Sequence, residues 1–117
     1  MKKITIALDM EREVCFNINA MVDLEERFEV PLGVLFDPNR VGIGLIRGML
    51  TIGLKHGGMK ITGRDRKAQE EQIGALIQDH WLAKNKSLDD LMKIMMAAFN
   101  EAGLLPKSEE EQDENPA

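Results

Sequence analysis

Apolar residues alternate with polar ones at the start of this chain and then change period. Ile4, Ile6 and Leu8 alternate with Lys3, Thr5 and Ala7, which predicts a strand over 3–8 with one apolar face. Val14, Phe16 and Ile18 alternate with Cys15 and Asn17 in the same way, and the intervening Asp9 to Arg12 makes an antiparallel hairpin the economical pairing. From Met21 through Leu24 to Phe28 the spacing is helical, with Glu25, Glu26 and Glu29 facing away, so the second strand runs straight into a helix. Asn19 falls at the switch, and its side-chain oxygen suits an N-cap. A two-stranded hairpin cannot bury its own apolar face, so the helices that follow have to cover it.

Val30-Pro31 closes the first helix, because a residue before proline is pushed out of the helical region. Leu32, Val34, Leu35 and Phe36 form a short apolar turn, ended by Asp37-Pro38-Asn39. Arg40 to Lys55 reads as a helix that is apolar on nearly every side, through Ile43, Leu45, Ile46, Met49, Leu50, Ile52 and Leu54, and is therefore central. It also holds Gly42, Gly44, Gly48 and Gly53, each costing up to ~1 kcal/mol of helix propensity relative to alanine. Gly44 and Gly48 lie one turn apart, which suits close approach of a second backbone, either within the domain or from a partner helix.

His56-Gly57-Gly58 ends the central helix, and Met59 to Gly63 follows as a loop or a short extended piece. Thr62-Gly63-Arg64-Asp65 fits a capping box, and Ile73, Leu76, Ile77, His80 and Trp81 continue at helical spacing. The basic groups of Arg64-Asp65-Arg66-Lys67 oppose the helix macrodipole, so fraying is expected there. Ser87-Leu88-Asp89-Asp90 is a second capping box. It opens a helix with Leu88, Leu91, Met92, Met95 and Phe99 on one side, stopped by Gly103 and Pro106. The expected fold is α+β: an N-terminal antiparallel β-hairpin packed against about four α-helices in one domain over 1–105, followed by an acidic, disordered tail over 106–117.

Composition changes this picture in three ways. The formal charge is -5, but five acidic residues in the tail against Lys107 leave the body near neutral. That balance argues against nucleic acid, whose affinity depends on basic groups displacing counterions. Aromatic content is 4% against eight Met, so the core is aliphatic and thioether-rich. The lone Cys15 has no internal disulfide partner and reads as a reduced core thiol, in keeping with a cytoplasmic setting. The longest apolar run, Val41 to Leu54, falls short of the ~20 residues that span a bilayer, so neither export nor membrane insertion is expected.

The order of segments resembles a known family. A short hairpin precedes a strand leading into NAMVDLEERF and then PLGVLF. IRGMLTIGLKHGG follows as an apolar central helix, and QIGALI and LMKIMMAAFNEAG as paired C-terminal helices. Over residues 4–103 this is similar to the small phage tail assembly chaperones, including the gene-transfer-agent branch also labelled tail tube proteins. The resemblance implies binding of the long helical tape measure protein and promotion of tail tube assembly in the host bacterium's cytoplasm, without bond making or breaking. It also implies, in many such systems, a longer frameshifted form, and Leu105-Pro106-Lys107 is codon-compatible with a slippery sequence.

No catalytic, cofactor-binding or metal-binding constellation stands out. Ser87 is an expected cap and Ser108 lies in the tail. Gly57-Gly58 lacks the strand and the Gly-Lys-Ser/Thr ending of a phosphate loop. His80 shares a face with Ile77 and Trp81 and reads as structural. The candidate partner surface is instead apolar. It combines Gly44 and Gly48 with Met92, Met95, Met96 and Phe99, whose soft surface adapts to several partner shapes, and with Leu104 and Leu105 beyond the helix end. Met92, Met95 and Phe99 share a stripe with Leu88 and Leu91 and suit core packing equally, whereas Met96 falls off that stripe and with Leu104 and Leu105 forms the expected exposed patch. Self-association is left open. Two rival readings are a tail tube or connector subunit retained in the particle and a small regulator such as an antitoxin.

Overall fold

A computed structural model describes residues 3–35 and 42–103. Its order is β1 (Ile4–Ala7), β2 (Glu11–Val14), α1 (Ile18–Phe28), the single turn α2 (Leu32–Leu35), α3 (Ile43–His56), α4 (Arg66–His80), a 3-10 turn (Leu82–Lys84) and α5 (Leu88–Ala102). The architecture is α+β, a two-stranded antiparallel hairpin against five helices. α3 packs against α1, α4, α5 and β2, which makes it the axis of the fold. The expected disordered tail, Arg40 and the Asp37-Pro38-Asn39 break lie outside the described residues.

The hairpin pairs Ile4 with Val14 and Ala7 with Glu11. The pairing ends at Val14, so the expected strand through Ile18 stops early. Cys15 instead donates its backbone N–H to the carbonyl of Gly53, 3.0 Å away on α3. Val14, Cys15 and Phe16 are consecutively buried, a run that alternation cannot produce. The N-cap of α1 is therefore Asn17, whose side chain accepts from the amide of Ala20 at 2.8 Å, and not Asn19, which lies in the first helical turn. Ile18, placed on the apolar strand face by its spacing, is 60% exposed.

A similar shift affects α4. Its cap is Asp65, which accepts from Ala68 N at 2.9 Å, rather than Thr62. Thr62 is occupied elsewhere, its amide and hydroxyl both directed at Gln72 Oε1. Asp65 also brings a negative charge to the basic first turn, where it favours the helix dipole. Ser87 caps α5 as expected, accepting from Asp90 N at 3.0 Å, and Gly103 ends it in the left-handed conformation with φ 68°.

The core joins Ile6, Leu8 and Val14 of the hairpin region to Met21 and Leu24 of α1, Met49, Leu50 and Leu54 of α3, Ile73 and Ile77 of α4, and Leu91, Met95 and Phe99 of α5. The closest backbone approach in this packing is at Gly57, just past α3. A Cβ built there would collide with the carbonyl of Glu13, whose carbon lies 2.6 Å from it. Neither β2 nor the end of α3 can yield without losing the bond from Cys15. Gly57→Ala is expected to cost about 2–3 kcal/mol, as overpacking against rigid backbone does, read as a lower midpoint in urea unfolding.

Candidate functional site

α5 turns two of the candidate partner residues inward. Met95 and Phe99 have no exposed surface, and the Phe99 ring stacks on Phe16 with centroids 4.0 Å apart and planes 6° from parallel. Met92 and Met96 are half-buried and pack against the core. Gly48 is buried too, but it makes room for a side chain and not for a helix: a Cβ there would lie 2.6 Å from Phe28 Cζ. Gly44 is exposed with nothing within 4 Å of its Cβ position. Leu104 and Leu105 lie outside the described residues. Helical phase had already put Met95 and Phe99 on one stripe with Leu88 and Leu91, and packing places them and Gly48 in the interior because α5 and α1 both close onto α3.

The one buried carboxylate among the described residues, Glu70 of α4, is 3% exposed. Arg27 of α1 grips it in a forked pair, Nε to Oε2 at 2.6 Å and Nη2 to Oε1 at 3.0 Å. Arg47 of α3 approaches the same carboxylate less closely, Nη2 to Oε1 at 3.7 Å. These hydrogen bonds from Arg27 hold the Glu70 carboxyl below its ordinary value, outweighing the upward push of burial. Arg47 Nε is buried and makes no hydrogen bond. The cluster ties α1, α3 and α4 together, and no periodicity in the sequence announces it.

Arg47 reaches Glu70 by lying across α4 at Gly74. A Cβ at Gly74 would sit 3.2 Å from Arg47 Cδ, so the missing side chain is what lets the guanidinium cross. Arg47 and Gly74 also line a groove of about 420 Å³ between α3, α4, the 3-10 turn and the start of α5. Its apolar lining is Ile43, Ile46, Ile77, Leu82 and Leu88. Ile43, on the first turn of α3, is 71% exposed, the highest value among the exposed large apolar side chains. On the other flank of α3, Gly44 and Leu45 border a second groove of about 340 Å³ with Phe28, Val30, Val34 and Leu35. The N-terminal half of α3 thus stands between two apolar clefts. Sequence reasoning placed this helix in the interior because it is apolar on nearly all sides, and its surplus of apolar positions was the available signal that one of them, Ile43, faces water.

The histidines lie apart from this surface. His56 Nε2 is 2.7 Å from Asp23 Oδ2, fastening α3 to α1, and His80 is half-buried near the end of α4. Among the described residues no group of His, Cys, Asp or Glu is arranged to hold a metal ion, and no helix is long and apolar enough to cross a membrane. No family model matches the chain, and it is similar to no curated protein and to no solved structure.

Proposed function

We propose that this chain is a non-enzymatic assembly chaperone of a phage or prophage tail, one that covers apolar surface of the helical tape measure protein and promotes polymerisation of tail tube subunits around it. The order of hairpin, central apolar helix and paired C-terminal helices supports the reading, as does its resemblance to that family over residues 4–103. The observation that carries it is the first turn of α3, where Ile43 stands 71% exposed beside apolar clefts. Exposed apolar surface of this kind is suited to holding an amphipathic helix. The two short strands give little support to the rival tail tube subunit, a class built chiefly from sheet.

The test is to sequence the neighbouring genes and to co-express this chain with the product of a long helix-rich reading frame found beside it. The expected outcome is a marked rise in the soluble fraction of that partner and its co-purification with this chain. A partner whose solubility is the same with and without the chain would overturn the reading.

A further inference from the structure

The proposed client reading leaves open where a helix is held and what it must carry, and the groove beside Arg47 supplies both. Ile43 and Ile46 line it from α3 and Ile77 from α4, while Leu82 and Leu88 come from the turn and the start of α5. Its volume of about 420 Å³ falls in the range of binding clefts and suits a few aliphatic side chains better than a whole domain. Charge then selects among apolar occupants. Both oxygens of Glu70 are already taken by Arg27, at 2.6 and 3.0 Å, so Arg47 at 3.7 Å is a second guanidinium sharing one satisfied carboxylate. Its side chain is 36% exposed in the groove's lining, with donors beyond the Nη2 that approaches Glu70. Glu71 and Gln78 are the other polar residues of the lining, both exposed, and their solvation makes them rim groups.

We propose that this groove seats one amphipathic helix of a partner protein, with an aliphatic stripe inward and a carboxylate where it passes Arg47. The inference rests on the client-binding reading but is tested without the client. Two labelled synthetic helices of about five turns are titrated into the purified chain, identical in their leucine stripe and differing in having Glu or Lys beside it. Fluorescence anisotropy is expected to show the Glu peptide binding about tenfold more tightly, as for a partly buried charge-assisted pair. Arg47→Gln should remove that preference while leaving the leucine-driven part. Ile43→Asp, at a position too exposed to matter for folding, should weaken both peptides. Helical content by circular dichroism checks that each variant is folded.

Equal affinity for the two peptides, binding of neither, or binding unchanged by Ile43→Asp would each overturn the proposal. Sedimentation adds one further arm: if the free chain is a dimer that Ile43→Asp dissociates, the occupant is a second copy and not a client helix. A wild-type chain that solubilises its partner while failing the peptide titration would refute this groove and leave the chaperone reading standing. The reverse result would do the opposite.

Discussion

Arg27→Met is expected to destabilise the protein by about 3 kcal/mol at neutral pH, at the lower end of what breaking a buried pair costs. The substitution keeps the length of an unbranched chain but strips Glu70 of both close donors. The carboxylate is 3% exposed and would retain only Arg47 at 3.7 Å, which is why the lower end applies. The pH dependence gives the mechanism a sign. In the wild type the Glu70 carboxyl is held below its ordinary value, so its contribution is complete above the unfolded carboxylate's range and lost as pH falls through the folded value. Without Arg27 the main lowering influence is gone and burial pushes the group upward, so ionisation works against the fold. The deficit of the variant should therefore be greatest near pH 7 and shrink toward about pH 4 in urea unfolding. Adding Glu70→Gln to Arg27→Met should recover part of the loss by removing the charge. A deficit that does not change with pH would show that Arg27 acts through packing, for instance over the Phe28 ring at 4.7 Å, and not through the pair.

Phe99→Ala is expected to cost about 4 kcal/mol, the middle of the range for deleting a buried aromatic ring. Phe99 and Phe16 are the two largest fully buried side chains and lie face to face at 4.0 Å. Phe16 is in turn fixed against Gly53 of α3, where a Cβ would sit 2.8 Å from its Cζ. Emptying one side of the stack therefore loosens the junction between α5, the chain after β2 and α3 together. Against a typical total stability of ~5–15 kcal/mol, that loss brings the fold near its threshold. Thermal unfolding should show a drop large enough to populate unfolded chains at growth temperature, whereas Phe99→Leu, which refills most of the volume, should cost much less. A Phe99→Ala variant with wild-type melting that failed only to bind a partner would instead favour the partner role that the sequence left open for it.

The contrast between Phe99 and Ile43 shows what could be read in advance. Both were apolar residues on predicted helices; the sequence left the first open between a core stripe and a partner surface, and set the second in a helix apolar on nearly every side. Their exposures are 0% and 71%. A helical phase says which residues share a face but not which faces meet, and α5 turns its Met95–Phe99 stripe onto α3 and the hairpin. The Glu70 cluster was hidden for a related reason. Arg27 and Glu70 are 43 residues apart, and an acidic residue on a polar helix reads as solvated until another helix lays a guanidinium on it. The missed caps are a smaller version of the same limit, since Asn17 and Asn19, or Thr62 and Asp65, are equally good cap chemistry and the strand pairing or a bond to Gln72 selects between them.

By itself the chain determined what depends on near neighbours: the hairpin before the helices, the Ser87 cap and Gly103 stop of α5, and the place of α3 at the centre, because periodicity, capping and propensity act within one or two turns. Tertiary structure decided where β2 ends, which carboxylate is buried, why Gly57 and Gly74 have no side chain, and which apolar residues are left facing water. Those depend on which surfaces close against each other, and the free energy of burial is realised only when they do.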